Sequence, residues 1–487
     1  MHQTIPHPSA LKGGCIIKQE PFTHQAKQPA HGPAAKKRTA GEAGWRLSRY
    51  NLTAPVPGKK GSDIIVNLFR GTVAEYNPVE LYMLSIMEQL DEHHPAIGRF
   101  AQRGIIVNFD EKAALEFKGR AACAAPRGVS LTICPTMNCN FSCPYCFEDR
   151  RPGKMSPEVQ DDVVNLTRRM LETGREKSLH VTWFGGEPLL AIDVIESLSE
   201  RLMALAEAFH ADYSAGIITN GYLLSQKNID LLDRCRVRSS QVSLDGLGEK
   251  NDATRRLAGG GPTFRRITDN LRKNKIPFHV GIRQNVQQSN LDEVPKVKAF
   301  VEQMAKESGN TLAYVPAPVS ANEAAEARGE HTRTLCREDT PEIFLMRETL
   351  HLSAGRGHFC GANTLFSVGI DETGRLFKCW EDASDPALSF ASARDWDPAR
   401  PLETAFNPDA LIRYLNTAMP LNDEECSECV WLPTCAGGCP HRRLHGHKDC
   451  FVMKNEPEKF VLTLYTRLAG KKRKKEESQT PDSLHQP

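Results

Sequence analysis

Strand-like and helix-like segments alternate along the chain from about residue 128 to about residue 345. The candidate strands are six short runs: Val129 to Cys134, His180 to Phe184, Gly216 to Thr219, Gln241 to Leu244, His279 to Arg283 and Thr311 to Val315. Helix-start signals lie between them, such as Ser156 as N-cap with Pro157 in the first turn. This alternation predicts an α/β fold, in which a parallel sheet with helices outside forms a full or partial barrel.

A distinctive motif follows each of the first five candidate strands. The cysteine-rich segment CNFSCPYC follows the first strand, and the other motifs are Gly185-Gly186-Glu187-Pro188, Thr219-Asn220-Gly221, Ser243-Leu244-Asp245-Gly246 and Arg283-Gln284-Asn285. Catalytic groups of parallel barrels lie at the carboxyl ends of the strands, so we expect these motifs to converge on one mouth. A turn or core role competes for each residue taken singly, and the set of five carries the inference.

Cys139, Cys143 and Cys146 form a CxxxCxxC run in the first of these motifs. The chain has 15 cysteines, which is many for a reducing compartment, so their clustering indicates metal or redox chemistry rather than disulfides. Three thiolates on one loop can hold three irons of a 4Fe-4S cubane and leave the fourth position for a substrate or cofactor. A structural zinc loop is disfavoured, because zinc sites usually pair CxxC motifs.

This spacing, with Tyr145 just before the last cysteine, resembles the signature of the radical S-adenosylmethionine (SAM) superfamily. The resemblance implies a partial TIM-like (β/α)6 barrel. It implies that the cluster's unique iron chelates the amino and carboxylate groups of SAM, and that an electron from the cluster cleaves SAM to methionine and a 5'-deoxyadenosyl radical. The cofactor-binding residues that it implies are Tyr145, Gly185, Gly186, Glu187, Asn220, Ser243, Asp245, Arg255 and Arg283.

These residues suit the parts of SAM. Paired glycines let the backbone approach the methionine amino group, because no Cβ intrudes, and Glu187 is expected to stabilise that ammonium. Candidates for hydrogen bonds to the ribose or the carboxylate are Asn220, Ser243 and Asp245. Arg255 occupies the place where related enzymes put an arginine facing the SAM carboxylate. The chain departs from the family at Asn251, where the family usually has a histidine.

A second cysteine series lies further along the chain. It consists of Cys360, Cys379, Cys426, Cys429, Cys435, Cys439 and Cys450, with Gly374 between the first two. This order resembles the SPASM domain, which carries auxiliary 4Fe-4S clusters in many radical SAM maturases. Zinc-ribbon coordination by the four cysteines from Cys426 to Cys439 is the alternative.

The SPASM resemblance also implies a division of ligands. One cluster would be completed by Cys426, Cys429, Cys435 and Cys450. Three ligands of a second cluster would be Cys360, Cys379 and Cys439. Its fourth position is either Cys336 or an open iron, which a substrate thiolate could bind.

Other residues near these motifs receive simpler predictions. Glu381 and Asp382 follow Cys379 and are candidate catalytic bases for removing a substrate proton. Ordinary buried or free thiols are expected at Cys15, Cys123, Cys134 and Cys235.

The remaining segments set the predicted domain organisation. Residues 1–45 lack a hydrophobic period and are predicted to be a disordered extension. Residues 46–125 indicate a small α+β or winged-helix unit that either handles substrate or packs on the main domain, with strands at Asp63 to Phe69 and Gly104 to Phe109 and a helix over Val79 to Leu90. The radical SAM core is expected at 126–345, the SPASM domain at 346–455, and a C-terminal helix with a basic disordered tail from about Lys471 at 456–487.

Composition limits the partners. The formal net charge of +2 gives no long-range attraction to nucleic acid or to an anionic membrane. No stretch approaches the roughly 20 apolar residues that span a bilayer, and the first residues lack the apolar run of a secretory signal. We therefore expect a cytoplasmic protein with no nucleic-acid or membrane partner.

The sequence thus predicts an oxidoreductase that crosslinks or oxidises a side chain of a peptide or protein. Its cofactors would be SAM, one radical SAM 4Fe-4S cluster and two auxiliary 4Fe-4S clusters, and an electron donor such as flavodoxin or ferredoxin would serve it. One alternative is a formylglycine-forming sulfatase-maturating enzyme, although Trp380 stands where those enzymes typically have an aspartate. Another is a non-catalytic Fe-S protein for electron transfer or binding, which would need no SAM motifs.

Overall fold

The computed structural model describes residues 44–91, 93–124, 128–174, 177–319, 360–417, 420–451 and 453–477, with side chains to residue 469 in the last range. Nearly all of the predicted N-terminal extension lies outside these ranges. Cys15 and Cys336 also lie outside them.

A small antiparallel sheet and three helices form the N-terminal segment. Its strands are β1 (Arg46–Leu47), β2 (Asn51–Pro55), β3 (Asp63–Asn67), β4 (Thr72–Tyr76) and β5 (Ile106–Val107). Its helices are α1 (Pro78–Ser85), α2 (Pro95–Gln102) and α3 (Glu111–Ala124), with a 3-10 turn at Met87–Gln89. The sheet has the order β2-β3-β4, and β1 pairs with β5. The helix predicted over Val79 to Leu90 is interrupted at Ile86, and the last predicted strand is shortened to β5.

Six parallel strands follow, each next to its neighbour in the chain. They are β6 (Val129–Ile133), β7 (Ser178–Trp183), β8 (Asp212–Thr219), β9 (Val237–Ser243), β10 (His279–Val286) and β11 (Leu312–Pro318). The helices between them are α4 (Pro157–Thr173), α5 (Ile192–Ala208), α6 (Gln226–Arg234), α7 (Glu249–Thr254), α8 (Phe264–Lys273) and α9 (Val294–Ser308), with 3-10 turns at Pro188–Ala191 and Gln288–Glu293. The predicted α/β fold with a parallel sheet is confirmed.

Helix α4, the first helix of this core, begins and packs as its sequence pattern predicts. Ser156 Oγ accepts a hydrogen bond from the Val159 amide at 3.4 Å, as an N-cap does. Val163, Leu166 and Met170 recur at helical spacing and are fully buried against the sheet. The apolar period therefore fixes which face of α4 packs inward.

The cysteine-rich segment continues the same sheet. It contains β12 (Ser367–Ile370), β13 (Arg375–Phe377) and β14 (Ala391–Ser392), with 3-10 turns at Gly361–Asn363, Trp380–Ser384 and Pro386–Leu388. Its helices are α10 (Pro408–Leu415), α11 (Glu424–Glu428), α12 (Leu432–Cys435), α13 (Pro440–Leu444) and α14 (Pro457–Glu477). β12 pairs in parallel with β6, which gives the nine-strand order β11-β10-β9-β8-β7-β6-β12-β13-β14. The sheet thus crosses the domain boundary predicted near residue 345.

The N-terminal sheet packs against the end of the chain. Trp431, Phe451 and Phe460 form one aromatic cluster, with ring centroids 4.5 to 5.3 Å apart. Tyr50 and Ile64 of the N-terminal segment belong to the same core. Helix α14 continues to Glu477, past the point near Lys471 where a disordered tail was predicted. No helix in the described ranges is long and apolar enough to cross a membrane.

We expect Phe460→Ala to lower the free energy of unfolding by about 3 to 5 kcal/mol, because it removes a fully buried ring and leaves a cavity. Phe460 is 1% exposed, whereas Phe117 on α3 is 73% exposed. The matched control Phe117→Ala should change the free energy by less than about 0.5 kcal/mol. Chemical denaturation followed by circular dichroism measures both, and equal midpoints for the two variants would contradict this packing.

Candidate functional site

The five predicted motifs lie side by side at the carboxyl end of the parallel sheet. The loop from Cys139 to Cys146, called the cysteine loop here, contacts the other motifs directly. The Glu187 amide donates to Asn138 O at 2.9 Å, and Asn220 Nδ2 donates to Asn140 Oδ1 at 2.7 Å. The structure therefore brings the second and third motifs against the segment that holds the cysteines.

Gly185 and Gly186 allow the backbone to approach the cysteine loop closely. Gly185 has φ +100°, and a Cβ there would lie 2.5 Å from Thr136 O. A Cβ on Gly186 would lie 2.3 Å from Asn138 O and 2.5 Å from Met137 O. Any side chain would displace this backbone, so the glycine pair seats the residues that precede the cysteine loop.

The three thiols of the cysteine loop lie close together and are partly buried. Burial raises the pKa of Cys139 to about 12 and that of Cys146 to about 11, and the thiols of the loop raise each other's pKa further. Burial also raises the pKa of Cys143, while the Arg255 guanidinium lowers it. No group of three or more His, Cys, Asp or Glu side chains in the described ranges could hold a single metal ion.

Tyr145 connects the fourth and fifth motifs to the cysteine loop. Its hydroxyl donates to Asp245 Oδ2 at 2.6 Å and accepts from Arg255 Nη1 at 2.7 Å and from Asn285 Nδ2 at 3.1 Å. Asn285 Nδ2 also donates to Asp245 Oδ1 at 3.2 Å. Four polar side chains from four segments thus form one buried network.

Arg255 keeps one buried donor unused. The side chain is 6% exposed, and its Nε has no hydrogen-bond partner among the described residues. Its guanidinium carbon lies 5.6 Å from the centroid of the Phe141 ring. A buried guanidinium with a free donor next to three thiols offers a place for an anionic group.

Glu187 is the next residue predicted to contact SAM. Glu187 is buried, and its carboxylate accepts hydrogen bonds from Thr219 Oγ1 at 2.7 Å, the Asn220 amide at 2.8 Å and the Leu189 amide at 3.1 Å. Burial raises its pKa. Glu187 therefore joins neighbouring strand ends through hydrogen bonds of its own.

Ser243, Arg283 and Asn251 complete the site at the fourth and fifth strand ends. Ser243 is half-buried, and Arg283 Nε donates to Asn285 Oδ1 at 2.9 Å. Asn251, which replaces the family's usual histidine, accepts from the Asp245 amide at 3.2 Å. Asn251 thus holds the fourth motif in position.

The C-terminal cysteines form two groups. The four-thiol set, which is Cys426, Cys429, Cys435 and Cys450, lines one cavity with Trp431 and Phe451. Burial raises the pKa of Cys435 to about 11, and the other three thiols raise it further. Arg443 Nη2 donates to Cys426 Sγ at 2.9 Å.

The three-thiol set is Cys360, Cys379 and Cys439. Burial raises the pKa of each thiol, and Cys360 acts electrostatically on both of the others. The two sets have the same members as the two ligand groups implied by the sequence. The assignment of clusters to them stays a prediction, and Cys336, the candidate fourth ligand, lies outside the described residues.

The two candidate bases lie on either side of His441. Its Nε2 is 3.4 Å from Glu381 Oε2, and its Nδ1 is 3.1 Å from Asp382 Oδ1. The Asp382 carboxylate is fully buried and faces Arg413 at 3.7 Å, whereas the Glu381 side chain is 39% exposed. Of the two carboxylates, Glu381 is the one that a bound molecule can reach.

An aromatic ladder joins the cysteine loop to the three-thiol set, and sequence reasoning missed it. The Phe147 and Phe184 rings stack at 6.3 Å between centroids, and Phe184 packs on Trp380 at 5.4 Å. Phe147 directly follows Cys146, and Trp380 directly follows Cys379. The sequence signal was an aromatic residue immediately after a cysteine ligand candidate in both segments.

Two buried charged residues also escaped the sequence analysis. Glu148 is buried, neither carboxylate oxygen has a hydrogen-bond partner in the described part of the chain, and burial raises its pKa to about 8. Lys378 Nζ donates to Thr364 O and to Ser367 O at 2.5 Å each, and burial lowers its pKa to about 7. A single Glu or Lys residue forms no sequence motif, so the burial of these two residues becomes evident only from the fold.

Comparison with known proteins gives a family match over this site. Residues 133–287 match the model of the radical SAM superfamily. The chain is 25% identical over 267 residues to the pre-heme d1 synthase of Dinoroseobacter shibae, a match over 53% of this chain and 59% of the synthase. It is 30% identical over 237 residues to a probable GTP 3',8-cyclase of Methanopyrus kandleri, over 46% of this chain and 70% of that protein.

A maturation protein and a solved structure also match. The chain is 27% identical over 179 residues to the sporulation killing factor maturation protein SkfB of Bacillus subtilis, over 36% of this chain and 40% of SkfB. A solved structure of native anSMEcpe with bound AdoMet is similar with a TM-score of 0.50 at 20% identity, over 70% of this chain and 97% of that one. At that identity the structural likeness concerns the fold alone.

We expect Gly186→Ala to displace the backbone of residues 137 and 138, because its Cβ would overlap two carbonyl oxygens. Hydrogen exchange in the peptide containing residues 135–146 should become faster. Gly281→Ala is the matched control, since its Cβ would meet nothing closer than 3.7 Å. Unchanged exchange in Gly186→Ala would show that the glycine pair does not seat this loop.

Proposed function

Because the chain belongs to the radical SAM superfamily, a family of enzymes, we propose that it cleaves SAM reductively and oxidises or crosslinks a side chain of a peptide or protein. The observation that carries the SAM part is the set of three partly buried thiols beside a guanidinium whose Nε has no partner in the described part of the chain. Thiols suit iron, and a free guanidinium donor suits a carboxylate. The residues present therefore fit the cofactors of the superfamily.

Cys139, Cys143 and Cys146 would hold a 4Fe-4S cluster, which would supply the electron for cleavage of SAM to methionine and a 5'-deoxyadenosyl radical. Arg255 would donate Nε–H to the carboxylate of SAM while its Nη1 remains on Tyr145. Asp245 and Asn285 hold the Tyr145 hydroxyl, so the guanidinium is oriented before SAM arrives. Because its hydrogen bonds go to neighbouring strand ends, Glu187 contributes negative charge and position near the amino group rather than a free acceptor.

The three-thiol and four-thiol sets are proposed to hold auxiliary 4Fe-4S clusters, as in a SPASM domain. The radical takes a hydrogen atom from the substrate and becomes 5'-deoxyadenosine. A further oxidation then removes one electron and one proton from the substrate radical. Glu381 would accept the proton, with His441 holding its carboxylate, and an auxiliary cluster on the three-thiol set would take up the electron.

Two substrate classes are candidates for this reaction. SkfB is a maturation protein of a sporulation killing factor, and this likeness favours a peptide. The pre-heme d1 synthase matches a larger share of the chain, so a tetrapyrrole is the second candidate. A peptide and a tetrapyrrole can be distinguished by which of them raises the rate of SAM consumption. A substrate that reacts with the radical increases this rate.

We expect anaerobically reduced, iron-reconstituted protein to release 5'-deoxyadenosine from SAM, and Cys143→Ala to lose this release, because one cluster ligand is removed. Chromatography of the products measures both. Cys235→Ala is the control, since Cys235 is buried outside the three sets and should retain release. Absence of release by wild-type protein with intact iron-sulfur absorbance would contradict the radical chemistry and favour an electron-transfer role.

We expect Arg255→Gln to weaken SAM binding by roughly 10- to 100-fold, because a hydrogen bond to a charged group contributes about 1.5 to 3 kcal/mol. Titration calorimetry on the reconstituted protein measures the dissociation constant. Arg266→Gln, at an exposed position on α8, is the matched control and should bind SAM as wild type does. Equal affinities of the two variants would remove Arg255 from the SAM site.

A further inference from the structure

Lys378 is a buried cation beside the three-thiol set. The residue is 5% exposed, and its ammonium is held by the carbonyl oxygens of Thr364 and Ser367 at 2.5 Å each. The Thr364 carbonyl lies in the loop that follows Cys360, the Ser367 carbonyl begins β12, and Lys378 immediately precedes Cys379 in the chain. Neutral groups thus fix the ammonium where it interacts electrostatically with the Cys360 thiol.

This ammonium has no carboxylate partner within the ranges that the structure describes. Arg151 forms ion pairs with Glu372 at 3.1 Å and Asp371 at 3.5 Å in the same part of the sheet, but no ion pair involves Lys378. The ionisable groups that act on it there are the thiols of Cys360 and Cys123. Burying an unpaired ammonium costs several kcal/mol and favours the neutral amine, so a charged Lys378 requires an anion close by.

We propose that a 4Fe-4S cluster on the three-thiol set is the counter-ion of Lys378, and that Lys378 raises the reduction potential of this cluster. The inference rests on the auxiliary cluster assignment of the proposed function. A thiolate-ligated cluster is anionic and gains one more negative charge on reduction. A cation fixed close by in a water-poor site stabilises the reduced form more than the oxidised form.

The position of Lys378 suits the proposed electron transfer. The proposed reaction leaves an electron on the substrate radical, and the cluster that accepts it is reduced by one electron while the proton goes to a base. A higher reduction potential favours this transfer. Lys378 would therefore act through the cluster, as a residue that sets its potential without contacting substrate.

The test compares Lys378→Gln with the charge-retaining Lys378→Arg in a Cys143→Ala background, where the radical SAM cluster is disabled. Anaerobic redox titration followed by electron paramagnetic resonance reports the auxiliary clusters, and iron analysis reports their number. We expect one titrating component of Lys378→Gln to shift to lower potential by at least a tenfold change in the oxidised-to-reduced ratio, which is 59 mV for one electron. Lys378→Arg should keep the wild-type potential.

Lys296→Gln is the charge control, because it removes one exposed lysine on α9 that pairs with Asp292 and Glu293. Both components should titrate in it as in wild type. An unchanged potential in Lys378→Gln, or equal loss of the cluster in Lys378→Gln and Lys378→Arg, would overturn the proposal. Loss of the cluster in Lys378→Gln alone supports it, since Lys378→Arg retains the positive charge that Lys378→Gln removes. Absence of any auxiliary signal from the otherwise unaltered Cys143→Ala protein would refute the cluster assignment itself.

Discussion

The close approach of two backbones at Gly185 and Gly186 is the constraint on which the site depends. Because no Cβ separates them, the strand end after β7 accepts the segment 136–138 at hydrogen-bonding distance. The next residue, Glu187, then reaches Thr219 and Asn220 at the end of β8. The absence of side chains at these two glycines thus sets the height of the cysteine loop above the sheet and links two neighbouring strand ends to it.

Two of the three sets of predicted ligand cysteines lie close to a buried cationic side chain. The ten predicted ligand cysteines lie in three places, and burial raises the pKa of most of them. Because ligand thiols must be deprotonated, metal binding at such sites displaces protons. Arg255 and Lys378 are the complementary cations, each buried beside one thiol set. These two side chains place positive charge where anionic groups are proposed to bind.

The sequence allowed the parallel core to be predicted because its signals are local. The strand periods, the Ser156 cap and the motif after each strand all depend on near neighbours along the chain, and the five motifs do meet. The ladder through Phe184 could not be predicted, because it brings together residues far apart in the chain, and the burial of Lys378 could not be predicted, because a single lysine carries no motif. The helix over Val79 to Leu90 was misjudged at Ile86, where an apolar run continues although the helix ends.

The pairing of β12 with β6 has a mechanical consequence. Strands joined by a backbone ladder cannot slide or hinge without breaking several hydrogen bonds together. β6 leads directly into the cysteine loop, and β13, which pairs with β12, leads directly into Lys378 and Cys379. The sheet therefore fixes the span between the cysteine loop and Cys379, so any adaptation of this face to a bound molecule has to come from the surrounding loops or from that molecule itself.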